Sequence, residues 1–323
     1  MSRTIATTAA RTSRMKVIVY NAPVTDPGHV HDAELQRAYA ACEAMARSHY
    51  ENFPVASRLL PRAMRPHVAA VYAFARVADD FADEGAVPPR QRQAHLAGWQ
   101  DRLHRAALSG GNGAMTRDDL IFVALGHSIR TLDLPVSLFD DLLSAFGQDT
   151  MTNRYASWSD VVDYCRRSAN PIGRLVLRIA GYRDDRLDRS SDALCTALQL
   201  TNFWQDFGRD WRAGRLYVPR DVVDRCGALE ADLAAGRLTP AWAAAIDQAV
   251  AFTRALFARG RLVCDGVRGR LRVELRATWL GGARILDRVE RRRTVLLDYR
   301  PALSAADVPA LLWQAIAWKP VTG

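Results

Sequence analysis

Lysine is nearly missing from this chain. Of its 44 basic residues only Lys16 and Lys319 are lysines, and the rest are arginine. Schiff-base catalysis needs a lysine in the site, so the composition argues against it. No apolar run reaches the roughly 18 to 20 residues that a membrane span requires. The C-terminal "VPALLWQAIAW" is too short to cross a bilayer, although such a segment suits the bilayer surface. Cysteine is sparse: Cys42, Cys165, Cys195, Cys226 and Cys264 are odd in number and widely spread. They read as reduced cysteines of a cytoplasmic protein, not as a disulfide framework. Zinc-finger spacing and aromatic RNA-binding motifs are absent, and the arginines form only short clusters such as Arg291, Arg292 and Arg293. Nucleic acid is therefore not an expected partner. The net charge of +9 still favours anions, such as a phosphorylated substrate or a membrane surface.

The 323 residues are 49% apolar, enough for a sizeable core. No composition shift marks a domain boundary, so residues 31–323 are expected to form one domain. Residues 1–30 hold several Arg and Ser/Thr, no acid before Asp26 and little periodicity. They read as a disordered basic tail, with Met15 a second candidate start and a targeting peptide only weakly signalled. From residue 32 onward apolar residues recur at three and four, with no run of period-two alternation, which predicts an all-α fold. Helices are expected at about 32–48, 64–84, 91–108, 117–131, 136–150, 159–181, 188–211, 239–266, 270–298 and 304–317. Turn chemistry in "EGAVPP", "SGGNG" and "LDLP" separates several of them.

Two of these helices carry acidic clusters. Asp79, Asp80 and Asp83 lie in "YAFARVADDFADE", and Asp206 and Asp210 in "LQLTNFWQDFGRD". At 100° per residue, Tyr72, Arg76, Asp79 and Asp83 fall within about 60° of one another, and Gln199, Asn202, Asp206 and Asp210 within about 80°. An acidic pair four apart is often only a solvated face. Here two such pairs are each extended by amide or arginine on the same face and flanked by apolar residues, which suits a bundle with a partly polar central cavity. Carboxylates in such a place need a cation. Magnesium fits, since it takes one or two carboxylates per ion and completes its shell with water and phosphate oxygens. Several ions bridging a diphosphate would make it a good leaving group. Arg58, Arg76 and Arg215 are candidate phosphate ligands through their planar donor forks. Phe53, Phe203, Trp204 and Tyr164 are candidates for the wall of an apolar tunnel or for cation–π contacts, with plain core packing the simpler alternative for each.

These residues resemble the squalene/phytoene synthase family, from about His49 to the C-terminus. The likeness rests on "SRLLP" at 57–61, "YAFARVADDFADE" at 72–84 and "LQLTNFWQDFGRDWRAGRLYVP" at 198–219. It implies an all-α isoprenoid synthase bundle in which Asp79, Asp83, Asp206 and Asp210, with Asn202, hold magnesium and Asp80 assists. Tyr72, Arg76, Gln199, Asn202 and Tyr217 would position the diphosphate. Within the family, "HYENFPVASRLLP", "YCRRSANPIGRLVLRIAG", "NFWQDFGRDW" and "ELRATWLGGARILDRVE" are most similar to the hydroxysqualene synthases of hopanoid biosynthesis. That subgroup ionises presqualene diphosphate and captures the rearranged cation with water. No NADPH is then expected, and a presqualene diphosphate synthase and a squalene-forming reductase are the implied pathway partners. A cytoplasmic protein with peripheral contact at the inner face of a membrane fits greasy substrates and a basic surface.

Departures from the wider family pattern point the same way. Tyr50 and Asn52 stand in "HYENF" where coupling enzymes usually carry a serine-containing segment, and Gln205 stands where they have arginine. Fewer diphosphate contacts suit an enzyme that handles one diphosphate instead of two. "NPIG" at 170–173 replaces a Gly-rich break. Pro171 should kink the helix and free carbonyls there. Asn170, which can donate and accept, is the candidate for holding the attacking water. The alternatives are a presqualene diphosphate, squalene or phytoene synthase, and a non-catalytic assembly relative; such relatives often lose motif carboxylates, and here both motifs are intact.

Overall fold

The computed structural model describes residues 32–48, 59–83, 87–109 and 116–319. The expectations for residues 1–30 and for Tyr50, Asn52, Phe53 and Arg58 lie outside the described residues. In the first half are α1 (Asp32–Ser48), α2 (Arg65–Asp83), α3 (Pro89–Leu108), α4 (Arg117–Leu132) and α5 (Val136–Asp149). Their ends follow local chemistry. Thr116 and Asp119 form a reciprocal capping box at the start of α4, with the Asp119 carboxylate accepting from Thr116 N at 2.9 Å. Asp133 closes α4 in the left-handed region at φ 50°. Phe74, Trp99, Phe122 and Phe139 lock α2, α3, α4 and α5 together, Trp99 and Phe122 with ring centres 4.5 Å apart.

In the second half are α6 (Trp158–Ser168), α7 (Asn170–Ile179), α8 (Asp185–Gln205), α9 (Phe207–Arg212), α10 (Arg220–Cys226), α11 (Glu230–Ala234), α12 (Pro240–Gly266), α13 (Gly269–Arg291) and α14 (Asp307–Ile316). Helix α8 is the axis of this half. It begins on Asp184, whose carboxylate accepts from the amides of Arg186 and Leu187 at 2.8 and 2.9 Å. Antiparallel α12 lies along it, with Gly266 meeting Leu187, Gly260 meeting Leu194, and Thr253 accepting from Trp204 Nε1 at 2.9 Å. Helix α7 is pinned to another face of α8 by Arg174–Asp192 and by Arg178–Asp188, a pair nearly shielded from water. Helix α13 packs against α8 and α12, and α14 covers α13.

The described residues contain no strand, only one isolated parallel bridge between Arg154 and Leu216, in keeping with the all-α expectation. Several boundaries differ from the sequence-based expectation. The helix expected over 159–181 is two helices, broken at Ala169, one residue before the position where Pro171 was expected to act. Proline tolerates the first turn of a helix, so Asn170 starts α7 and the irregular residue falls before it. The helix expected over 188–211 is also interrupted, at Asp206 with φ −93° and ψ 11°. The one expected over 270–298 ends at Arg291 and continues as turns. Among the described residues no helix is long and apolar enough to cross a membrane.

Candidate active site

The first acidic cluster sits in the last turns of α2. Arg76 reaches Asp80 Oδ1 at 2.6 Å and Asp79 Oδ2 at 3.5 Å, so one guanidinium balances two half-exposed carboxylates. Tyr72, one turn earlier, has its phenol pushed up by burial first; Arg76 opposes that shift and Asp80 and Asp79 add to it. Asp83 ends the helix, and its side chain lies outside the described residues.

The second cluster straddles the break between α8 and α9. Asn202 Nδ2 donates to Asp206 Oδ2 at 2.9 Å, which leaves the Asn202 carbonyl oxygen directed elsewhere. Asp206 also accepts a two-pronged contact from Arg300, through Nε and through Nη2 at 3.1 Å. That contact raises the pKa of the Arg300 guanidinium against the opposing effect of burial, and the charge of Asp206 adds to it. Asp210 pairs with Arg215 at 3.4 Å. Gln205 donates to the Pro301 carbonyl, and Arg212 to the Leu297 carbonyl at 2.8 Å. Gly208 explains how the chain comes so close: a Cβ there would lie 2.1 Å from the Leu297 oxygen. Residues 296–301 thus form a strap across the second cluster. Sequence periodicity assigned the start of this strap to a helix and overlooked Arg300; only its position just before Pro301 marks it as a non-helical residue.

Helix α7 packs against both α2 and α8 and so joins the two acidic helices. Along these helices one row of residues is neither buried nor open: Tyr72, Ala75, Arg76 and Asp79 on α2, Ile172 and Val176 on α7, and Leu198, Gln199 and Asn202 on α8. These rows give α2, α7 and α8 partly exposed faces of mixed polarity. Asn170 begins α7 and is buried, its Oδ1 accepting from Thr196 Oγ1 at 2.9 Å. Tyr217 stacks on Phe203 with ring centres 3.6 Å apart, and burial pushes its phenol well up, with Asp149 and then Asp210 adding to the shift. Tyr164 is buried in the same aromatic layer and donates to Asp149 at 2.9 Å. Trp204 meets Phe203 edge to face but commits its Nε1 to Thr253 on α12. The described site therefore gathers Tyr217, Phe203 and Asp210, and places Tyr164 behind them.

Among the described residues, no three His, Cys, Asp or Glu side chains group closely enough to chelate one ion. Magnesium asks for less, often one or two carboxylates per ion with phosphate completing the shell. The donor set suits it: all hard oxygens, in two clusters, each balanced by arginine. A cavity of about 400 Å³ lies elsewhere, between α12 and α13, lined by Arg254, Phe257, Arg261 and Trp279 among others.

A helical bundle with two acid-bearing helices joined through a third has the architecture of an isoprenoid synthase. Residues 46–307 match the squalene/phytoene synthase family, and the chain belongs to it. The chain is 40% identical to the hydroxysqualene synthase of Zymomonas mobilis over 212 residues, 65% of this chain and 68% of that protein. It is 35% identical to that of Rhodopseudomonas palustris, over 65% and 69% of the two chains. Among solved structures, squalene synthase HpnC from Alicyclobacillus acidocaldarius superimposes with a TM-score of 0.74 at 41% identity, over 81% of this chain and 96% of that one. A dehydrosqualene synthase shares the fold, with a TM-score of 0.77 at 22% identity over 88% and 98% of the two chains.

Proposed function

We propose that this chain is a hydroxysqualene synthase, converting presqualene diphosphate and water to hydroxysqualene and diphosphate. The site observation that carries this reading is Gln205: its amide is tied to the Pro301 carbonyl, so the residue before the motif offers no cation to a second diphosphate. The likeness to two hydroxysqualene synthases over 65% of the chain supports it, alongside the likeness to squalene synthase HpnC.

Asp79 and Asp83 on one side and Asn202, Asp206 and Asp210 on the other would hold magnesium ions, with Asp80 assisting. Bound there, the metal would stabilise charge developing on the departing diphosphate. Arg76, Arg215 and Arg300 now neutralise these carboxylates, and phosphate oxygens compete for the same guanidinium forks. The breaking carbon–oxygen bond leaves its electron pair on diphosphate and a rearranging carbocation on the C30 chain. Tyr217, stacked on the buried Phe203, offers its π surface to that charge. Water adds to the cation through a new carbon–oxygen bond, and the proton it sheds passes to the released diphosphate. Asn170 holds the attacking water: Thr196 fixes its Oδ1, and its amide nitrogen has no partner among the described residues. No reductant enters the balance, so NADPH is not required. A diphosphate-coupling synthase must supply the substrate, and a reductase must remove the hydroxyl if squalene is the end product.

The test is incubation of the purified protein with presqualene diphosphate, with and without magnesium and NADPH. Hydroxysqualene should form without NADPH and cease when EDTA removes the metal. A strict NADPH requirement with squalene as product would overturn the reading, as would coupling of farnesyl or geranylgeranyl diphosphate as the main activity.

A further inference from the structure

Helix α14 shows two different faces. Leu311 and Ala315 are buried, and Asp307 at its first turn is held by Arg288 at 2.6 Å and by the Ser304 amide at 2.7 Å. The outward arc, about 160° wide at 100° per residue, holds Pro309, Ala310, Leu312, Trp313, Ile316 and Ala317 and no charged group. Trp313 is 69% exposed and Ile316 67%, so the two largest side chains of this face point into solvent. Scattered surface apolar residues need no explanation, but an uninterrupted apolar arc on one helix does.

The charge beside this helix is mainly positive, and its one acid, Asp307, is shared by Arg284 and Arg288. Arg261, Arg284, Arg288 and Lys319 stand at α14 or its C-terminal end, against the single acid Asp307, four cations to one anion. Arg261 stacks 3.9 Å over the Trp318 ring and donates to the Lys319 carbonyl at 2.7 Å. It also lines the apolar cavity between α12 and α13. The nearby acids Asp287 and Glu290 are taken by Arg254, and Asp265 by Arg276.

We propose that the outer face of α14 docks on an anionic phospholipid surface. Trp313 and Ile316 enter the headgroup boundary while Lys319 and Arg261 lie at the level of the lipid phosphates. An apolar helix face with Arg261 and Lys319 at its C-terminal end matches that partner. A second copy of the chain would bring cation against cation, and a nucleic acid offers nothing to an apolar arc. The match gains a purpose from the proposed reaction, whose C30 substrate and product partition into bilayers, but the docking stands on the surface itself.

Vesicle sedimentation without substrate separates the two ideas. The full chain should bind phosphatidylcholine vesicles carrying about a third phosphatidylglycerol, and bind pure phosphatidylcholine far less. Raising salt from about 0.1 to 0.5 M should weaken binding several-fold. The double variant Trp313→Glu/Ile316→Glu should lose at least tenfold in vesicle affinity with unchanged circular dichroism and melting temperature, and the milder Trp313→Ala/Ile316→Ala should fall between. No binding by the native chain, or equal binding by the double variant, overturns the proposal. So does a dimer in light scattering that the double variant abolishes, which would assign the face to a second copy.

Discussion

Arg300 sits in the strap and Asn170 at the start of α7, and the chemistry asks different things of them. Arg300 grips Asp206 with two N–H groups, and this partly exposed pair contributes little to folding. Its replacement by Ala is expected to leave the melting temperature within a few degrees while lowering kcat about 10- to 100-fold. Arg300→Lys should recover only part of the loss, because an ammonium lacks the planar fork. A fall in stability with kcat intact would make the residue a strap holder only. For Asn170→Ala, the readout is product identity: turnover should continue while the share of alcohol falls and hydrocarbon from proton loss rises. An unchanged ratio removes Asn170 from the water-capture step and leaves it as the partner of Thr196.

At the scale of helices, close approach governs what can change. Gly260 lies against the backbone of α8, and a Cβ there would come 2.7 Å from Leu194 N and 2.8 Å from its Cα. Backbone cannot move aside as a side-chain tip can, so Gly260→Ala should cost about 1–3 kcal/mol in chemical denaturation. Gly98 on α3 has nothing within 4 Å of its missing Cβ, and Gly98→Ala should stabilise by about 0.5–1 kcal/mol. The two substitutions are chemically identical and should have opposite signs. These contacts also explain what was readable from sequence. Long helices such as α2, α8 and α12 showed themselves because burying one face imposes a 3.6-residue rhythm. The breaks at Ala169 and Asp206 did not, because a helical pattern runs on both sides of each and the interruption answers to partners elsewhere. Gly208 was visible as a letter between two motif aspartates, but its reason, the carbonyls of Leu296 and Leu297, comes from far along the chain. The short α10 and α11 bury too few residues to print a period, and Arg300 belongs to a strap with no period at all.

Across the whole molecule, stability should depend on pH through a buried glutamate and a half-buried histidine with opposite slopes. Glu274 on α13 is only 6% exposed, its Oε2 has no hydrogen-bond partner among the described residues, and burial alone pushes its carboxyl up to about 8. Between its ordinary 4.5 and about 8 the unfolded chain gives up this proton while the folded chain keeps it, so stability falls as pH rises. His67 lies in the cluster with Tyr39, His127 and Ser128, and burial, with a smaller contribution from His127, lowers it to about 4. Between 6.5 and about 4 it is the unfolded chain that takes up the extra proton, so stability falls as pH drops. The two slopes oppose each other in the mildly acidic range, and above pH 6.5 only that of Glu274 remains. Glu274→Gln should therefore raise the melting temperature most at pH 8 and hardly at all near pH 4.5, with a gain at pH 8 on the order of a few kcal/mol at most. Melting curves of the native and variant chains across this range decide it. A gain that is the same at both pH values would mean that the Glu274 carboxyl does not stay protonated inside the fold.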